Sequence, residues 1–478
     1  MEQILQAIFK LLFELVNALL TGASELIVSM VPTRRNERVN ADFLPAHKAL
    51  SKTKEGFVMG DMRISLEESY QHMVVTGQSG GGKSTCVGLP SILQITEASL
   101  IIHDPSGMEY ERSSGAKQSQ NFAIKVFDYR NPKVSEKYNP LSYCKTRSEI
   151  KQLAKTLITA TLGTGGQNEV FWNTAAENLV SLAIAYIRFY TPKENKNLYN
   201  VLIFLKRFVG SPKETDRLIL LTEDDELIES YKAVIRNDPK VLMNITTTAI
   251  TALSLWEDEV IAEITSDDTI SFDEFRTTKT VLYIRSDINQ MKYFAPLTSI
   301  FFVQFFASVM CKIPEPHEYG ILGIIDEASS LTISSLGTAT SNLRKYRSGL
   351  MLLYQQAESQ LTEQYGVQSA RAILANCFTK LYLPGQPLEV CRQLEILLGK
   401  FSYVDDKNVE RTKNLMSMNE IRMMDESIIL IGNKAPIKLK LVPYFKQKKL
   451  LELSQIPPFE LKEKGPNPNF QMITDGME

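Results

Sequence analysis

A glycine-rich run at residues 76–85, TGQSGGGKST, has the spacing of a loop that binds phosphate. From residue 77 to residue 84 it follows the pattern G-x-x-x-x-G-K-[ST] without a gap. The glycines let successive backbone N–H groups turn inward as an anion-binding nest, and a following helix directs its positive end at the same phosphates. We therefore predict an ATP site in which Lys83 bridges the β- and γ-phosphates and Ser84 ligates Mg²⁺. The residues predicted to hold the nucleotide are Gly77, Gln78, Ser79, Gly80, Gly81, Gly82, Lys83, Ser84, Thr85 and, further along the chain, Asp326.

An acidic pair, Asp326 and Glu327, ends the apolar run at residues 321–325, which has the pattern of a buried strand. Acidic pairs at strand ends are common on protein surfaces, so this pair gains its meaning from the phosphate-binding loop. We predict that Asp326 belongs to the Mg²⁺ shell and that Glu327 orients and deprotonates the attacking water. A nucleotide-binding switch could omit Glu327, whereas a motor needs it, so the pair favours an ATPase.

Two further groups of polar residues follow the acidic pair. The apolar run at 349–354 ends in Gln355 and Gln356, and a neutral amide there could sense the γ-phosphate; a solvated loop glutamine is the alternative. Before that run lie Arg344, Lys345 and Arg347. Arg344 or Arg347 could reach into a neighbouring subunit's site as an arginine finger, or all three could belong to a solvated helix face.

Composition limits the other possibilities. The formal net charge of -2 over 478 residues excludes a globally basic nucleic-acid-binding protein, though not a local basic groove. Five cysteines without a C-x-x-C pair, and only four histidines, argue against a disulfide framework or a zinc site. We expect reduced thiols in a cytoplasmic protein.

The surrounding elements predict an α/β fold. Short apolar runs alternate with helical stretches in residues 41–142 and 269–450, which we take as the two parts of one nucleotide-binding domain with a largely parallel sheet. Residues 143–268 show only the 3.6-residue period of helices and are predicted to form an all-α insert. Within the insert, Phe171 and Trp172 could stack on bases or a partner, but packing inside the insert is favoured. Residues 451–478 are rich in proline and polar side chains and are predicted to be a flexible tail.

An amphipathic stripe marks the first part of the chain, residues 1–40. Its apolar residues recur at helical spacing, for example at Ile4, Ile8, Leu11 and Leu15. Glutamates inside the stripe oppose a membrane-spanning helix, and the polar face is not lysine-rich. We keep three interpretations: a partner-binding helix, which is favoured, a membrane segment, and a structural helix.

With these features in order, the chain resembles the type IV coupling proteins, the TraG/TraD-like ATPases of conjugation. Four stretches carry the likeness: the phosphate-binding loop with LPSIL at 89–93, DPSGMEY at 104–110, VFDYRNPKVSEKYNPL at 126–141, and IIDEASSL with LRKYRSGLMLLYQQ further on. Ser106 and Met108 depart from the lysine and glutamate usual in the second stretch, and Ala328 replaces the usual phenylalanine. The usual pair of N-terminal membrane helices is represented only by the stripe.

The resemblance implies a RecA-like P-loop NTPase domain with an inserted all-α domain, assembled as a homo-hexameric ring around a channel. It implies ATP and Mg²⁺ as cofactors and DNA, relaxase or relaxosome proteins and type IV secretion channel proteins as partners. The expected location is the cytoplasm at the inner face of the membrane, with membrane contact through the N-terminal helix as an option. The expected function is ATP-driven delivery of DNA with attached relaxase to a type IV secretion channel. The alternatives are an FtsK/HerA-like pump for double-stranded DNA, a docking platform for relaxase or protein effectors without motor activity, and a secretion ATPase that carries only protein substrates.

Overall fold

A nine-stranded sheet organises the protein, whose computed structural model describes residues 40–163, 167–210 and 212–464. The strands in chain order are β1 (Val58–Met59), β2 (Met62–Arg63), β3 (Met73–Thr76), β4 (Ala98–Asp104), β5 (Ala123–Asp128), β6 (Thr280–Arg285), β7 (Gly320–Ile325), β8 (Ser348–Tyr354), β9 (Thr379–Tyr382), β10 (Lys400–Val404), β11 (Glu410–Asn414), β12 (Ser427–Ile431) and β13 (Ile437–Leu439). The strand order in the nine-stranded sheet is β13-β12-β9-β3-β8-β7-β4-β6-β5.

The central strands are parallel and buried, which explains their continuous apolar sequences. β3 pairs in parallel with β8 and β9, and β7 pairs in parallel with β4 and β8. Every residue of β4, β7 and β8 is buried, as expected where helices cover both faces of a parallel sheet. Within this sheet, β12 is antiparallel to both of its neighbours, β9 and β13. The carboxyl ends of the parallel strands therefore share one edge.

The helices fall into two groups. Those of the α/β part are α1 (Leu66–Ser69), α2 (Leu89–Gln94), α3 (Met108–Ser119), α11 (Glu274–Thr277), α12 (Met291–Val309), α13 (Leu336–Asn342), α14 (Ala357–Asn376), α15 (Leu388–Leu398), α16 (Met418–Met423) and α17 (Lys448–Ser454). Between β5 and β6 lie only helices among the described residues: α4 (Arg147–Leu162), α5 (Gln167–Tyr190), α6 (Leu198–Gly210), α7 (Pro212–Leu220), α8 (Asp225–Ile235), α9 (Pro239–Ala252) and α10 (Glu259–Ile264).

The helical insert begins where its sequence provides a cap. The Thr146 side chain accepts the backbone N–H of Glu149, and the Glu149 carboxylate accepts that of Thr146, which satisfies two N–H groups that a helix start leaves unpaired. The insert shares its core with one face of the sheet, where Val74, Ile101 and Phe127 face the helices. Alternate residues of the same strands, such as Val75, face the opposite core, because side chains along a strand point to alternate faces.

The stretch Ile288–Val309, which contains α12, is long and apolar enough to cross a membrane. However, 72% of its most apolar window is buried inside the protein. Phe301, Phe302 and Phe306 are fully buried in the core that the sheet shares with the insert. Its apolar composition is therefore accounted for by packing between the sheet and the insert.

The C-terminal prediction needs correction for the described part of the tail. α17 extends to Ser454, and the chain beyond it lies on α3. The backbone N–H of Phe459 donates to Ser114 Oγ at 3.0 Å, and the Tyr110 hydroxyl donates to the Phe459 carbonyl oxygen. The proline and polar residues of this segment suggested flexibility. However, the hydroxyls of Ser114 and Tyr110 on α3 hydrogen-bond to its backbone. Residues 465–478 lie outside the described residues.

A second, smaller unit joins residues 40–42 to Ile396–Leu415. It contains the antiparallel hairpin of β10 and β11, which the sequence reading did not predict and which interrupts the part we delimited as 269–450. The Ala41 N–H donates to the Lys400 carbonyl at 3.0 Å, and Asn40 Oδ1 accepts the Ser402 N–H at 3.1 Å. The amphipathic stripe predicted within residues 1–40 lies, except for Asn40, outside the described residues.

Candidate nucleotide site

The phosphate-binding loop connects β3 to a π-helical turn, Lys83–Gly88, that continues into α2. Gly80 and Gly82 have φ values of 74° and 99°, a left-handed backbone that glycine adopts without steric cost. A Cβ added at Gly77 would lie 2.6 Å from Leu383 Cδ1. Glycine is therefore required in this loop both for the turn and for close packing against Leu383, the residue that follows β9.

Lys83 is folded into this loop. Its side-chain ammonium donates to the carbonyl oxygens of Gly77 at 3.0 Å and Gln78 at 3.4 Å, and the residue is only 6% exposed. A buried ammonium held by loop carbonyls is positioned at the centre of the nest, where an incoming phosphate can replace those weaker neutral partners. The role of Lys83 on the β- and γ-phosphates stays a prediction.

Asp326 follows β7 at the same edge of the sheet and faces the loop. Ser84 Oγ donates to Asp326 Oδ2 at 3.4 Å, so the two side chains predicted to ligate Mg²⁺ are in contact. Burial, with the nearby charge of Glu327, raises the pKa of Asp326 to about 6. Its Oδ1 is buried without a hydrogen-bond partner among the described residues. A hydroxyl and a carboxylate with an unsatisfied oxygen are a donor set that fits Mg²⁺.

Glu327 and Gln355 are joined across the ends of β7 and β8. Gln355 Nε2 donates to Glu327 Oε2 at 3.4 Å, whereas Gln356 is exposed and its N–H donates to Gln360 Oε1. Glu327 has φ 48° and ψ 49°, a left-handed backbone that is uncommon for a non-glycine residue and clusters at functional sites. Of the two predicted glutamines, it is Gln355 that reaches the acidic pair.

The basic residues before β8 lie at the opposite edge of the sheet. β8 has seven residues and so separates them from its carboxyl end by roughly 20 Å. Arg347 Nη1 donates to the carbonyl oxygens of Glu315 at 3.1 Å and Pro316 at 3.3 Å, while Arg344 is exposed. The chain therefore does not bring Arg344 or Arg347 to its own phosphate-binding loop.

Four residues in and just after the end of β4, namely His103, Asp104, Ser106 and Glu109, were not predicted as part of the site. His103 Nδ1 donates to the Asp326 carbonyl oxygen at 2.8 Å, and burial lowers the pKa of the imidazole below its usual range. The hydroxyl of Ser106 donates to both Asp104 Oδ1 at 3.2 Å and Glu109 Oε2 at 3.3 Å. Burial, with the charges of Asp104 and Asp326, raises the pKa of Glu109 well above its usual range. Finding these residues required knowing that β4 and β7 are neighbours in the sheet.

The two adjacent aromatic residues of the insert, predicted either to pack inside it or to stack on a partner, differ in their burial. Phe171 and Trp172 form an edge-to-face pair with centroids 5.1 Å apart. Trp172 packs against the core, whereas Phe171 is 58% exposed. Packing therefore explains Trp172 and leaves Phe171 at the surface.

Comparison with known proteins gives a consistent result. A family model described as type IV secretory system conjugative DNA transfer matches residues 34–465. The protein VirD4 of Rhizobium radiobacter is 24% identical over 428 residues, which are 83% of this chain and 60% of that protein. The probable conjugal transfer protein TraG of Sinorhizobium fredii is 25% identical over 314 residues, 63% of this chain and 47% of that protein. The chain thus spans less than two thirds of the length of these relatives.

Solved structures confirm the predicted fold. The bacterial conjugative coupling protein TrwB, in a sulphate complex, superposes with a TM-score of 0.68 and 16% identity, covering 84% of this chain and 93% of that one. TrwB in complex with ADP and Mg²⁺ superposes with a TM-score of 0.66 at 16% identity, covering 90% and 96%. The α/β fold of a RecA-like P-loop NTPase with a helical insert is therefore confirmed.

Proposed function

Since the chain belongs to the type IV secretory system conjugative DNA transfer family, we propose that it is a Mg²⁺-dependent ATPase that delivers DNA, with attached relaxase, to a type IV secretion channel. One observation carries the proposal: Lys83, Ser84, Asp326, Glu327 and Gln355 converge at the carboxyl edge of β3, β7 and β8. Side chains from three strands meet there around a loop built for phosphate.

Each side chain has a distinct part in hydrolysis. Ser84 and Asp326 would hold Mg²⁺, which when bound neutralises charge on the phosphates. Lys83 leaves the loop carbonyls for the β- and γ-phosphates. Glu327 accepts a proton from the attacking water, whose oxygen bonds to the γ-phosphorus as the bond to the ADP oxygen breaks. Gln355, hydrogen-bonded to the Glu327 carboxylate, orients that base and responds when the γ-phosphate departs.

A ring explains the position of the basic residues. In a head-to-tail ring, the edge that carries Arg344 can face the carboxyl edge of the next subunit. Arg344 is exposed, whereas Arg347 is engaged with two carbonyl oxygens. We therefore assign the arginine finger to Arg344 in a homo-hexamer, which completes each site with a charge from the neighbouring subunit.

DNA, a relaxase or relaxosome protein and the secretion channel are the proposed partners. A net charge of -2 suits a cargo path in which positive charge is local rather than global. Contact with the inner face of the membrane is assigned to residues 1–40. The contact between Gln355 and Glu327 favours a motor over a docking platform, because a platform has no use for an oriented base.

An ATPase assay with and without DNA tests the proposal. Wild-type protein should hydrolyse ATP faster when DNA is added. Lys83→Ala should abolish turnover and nucleotide binding, whereas Glu327→Gln should bind ATP and turn it over at least about 100-fold more slowly. Normal activity in the Lys83→Ala protein, or no response of the wild type to DNA, would refute the proposed motor.

A further inference from the structure

The hairpin of β10 and β11 carries aromatic and basic side chains on a single face. Phe401 pairs with Lys413 across the two strands, and Tyr403 pairs with Arg411. Residues that are directly opposite in an antiparallel pair point to the same face. On one face of the ribbon, two rings on β10 thus lie opposite two cations on β11.

The other face has a different character. The pairs there are Lys400 with Asn414, Ser402 with Thr412, and Val404 with Glu410. This face has no aromatic residue and combines one positive with one negative side chain. The aromatic and basic residues are therefore segregated, which a solvated hairpin does not require.

The aromatic face is accessible and held in shape. Tyr403 is 42% exposed and the Arg411 side chain is 57% exposed. The Phe401 and Tyr403 rings lie 6.2 Å apart between centroids. At the turn, Asp405 accepts the N–H groups of Lys407 and Val409 and the Nε–H of Arg411. These bonds fix the turn and hold the Arg411 guanidinium in an ion pair with Asp405 before any partner binds.

We propose that this face binds single-stranded DNA, with bases stacked on Phe401 and Tyr403 and phosphates contacted by Arg411 and Lys413. Exposed rings offer a surface to the π-face of any unpaired base, and adjacent cations pair with the backbone. A duplex hides its base faces within the stack, so the rings favour the single strand. The inference rests on the proposed function, since it specifies the form of the DNA cargo.

Binding of a fluorescent 25-nucleotide dT strand and of a duplex of the same length, followed by anisotropy, tests this site in the full-length protein. Replacing Phe401 and Tyr403 together by Leu should weaken dT binding by about fivefold or more for each lost stack. Replacing Arg411 and Lys413 by Gln should reduce the slope of log affinity against log salt by about 1.4. Tyr403→Trp, which keeps an aromatic ring, should retain the affinity and show fluorescence quenching by dT.

Matched controls lie on the opposite face. Lys400→Gln and Val404→Ala should change dT affinity less than twofold, and ATPase activity without DNA should be unchanged in every hairpin variant. If the variants of the aromatic face bind dT like wild type, or if the duplex binds more tightly than dT, this inference fails while the motor proposal stands. If wild-type protein binds neither DNA, both fail.

Discussion

Replacing Asp326 by Asn should stabilise the nucleotide-free protein while removing its response to Mg²⁺–ATP. Asp326 is buried, and Oδ1 has no hydrogen-bond partner among the described residues. Burial and the charge of Glu327 raise the pKa of Asp326 from its ordinary 3.8 to about 6. Holding this carboxylate ionised at pH 7 therefore costs up to about 3 kcal/mol of folding stability.

The neutral amide avoids that cost. In a chain of 478 residues, about 1 kcal/mol moves the thermal midpoint by about 1 °C, so Asp326→Asn should melt up to about 3 °C higher without nucleotide. The direction of this stability change can be checked by measuring folding stability as a function of pH. Since the folded pKa is raised, wild-type stability from this group is lost as pH rises from about 4 to about 6, and the variant should lack that loss.

In the presence of ligand, Asp326→Asn should be at a disadvantage relative to the wild type. With a non-hydrolysable ATP analogue and Mg²⁺ at about 100 times the dissociation constant, wild-type protein gains about 2.7 kcal/mol, and Asp326→Asn should gain almost nothing. Glu327→Gln is the matched control, because it alters the adjacent carboxylate and should keep the ligand shift. Differential scanning fluorimetry measures all three proteins. A lower midpoint for nucleotide-free Asp326→Asn, or a full ligand shift in that variant, would refute this reasoning.

Three further substitutions test other parts of the fold and site. A Cβ at Gly115 would lie 1.9 Å from the Pro457 carbonyl oxygen, so Gly115→Ala should detach the segment after α17 from α3. Limited proteolysis of that segment should become at least about fivefold faster. Gly337→Ala is the control, because a Cβ at Gly337 meets nothing within 4 Å and should leave the proteolysis rate unchanged. Burial lowers the pKa of Lys117 from its ordinary 10.5 to about 7, so between these values the unfolded chain binds a proton that the folded chain does not. The free energy of unfolding should therefore rise by up to about 1.4 kcal/mol per pH unit between pH 7.5 and 9.5. Denaturant titrations should show a smaller rise for Lys117→Met. Arg344→Ala should slow turnover of the assembled ring by about 1,000-fold or more with unchanged nucleotide affinity; equal rates would exclude it as the finger.

The elements around the nucleotide were accessible from sequence because their signals are local. A glycine loop between an apolar strand and a helix fixes the position of Lys83, and an apolar run fixes the edge at which Asp326 lies. The choice between Gln355 and Gln356 was not accessible, since adjacent residues after a strand point in different directions that depend on the local turn. Predicting the hydrogen bond from His103 to the Asp326 carbonyl oxygen would also have required knowing that β4 and β7 are neighbours.

Two features were missed for a different physical reason. Strands β10 and β11, with the sequences KFSYV and ERTKN, have no buried residue. β10 has only two aromatic residues in alternation and β11 has no apolar residue, so the pattern of a half-buried strand is too short to identify the hairpin. The segment after α17 packs through backbone hydrogen bonds to Tyr110 and Ser114, which leave no pattern in its own residues. In both cases the partners of the segment, rather than its composition, determine its structure.

The most direct measurement is a cryo-electron microscopy map of the Glu327→Gln protein with Mg²⁺ and ATP. We expect one nucleotide at each loop of Gly77–Thr85, the Lys83 ammonium on the β- and γ-phosphates, and Ser84 and Asp326 beside a single metal ion. Density for ATP at another place on the chain, or a metal ion far from the Asp326 carboxylate, would contradict the account.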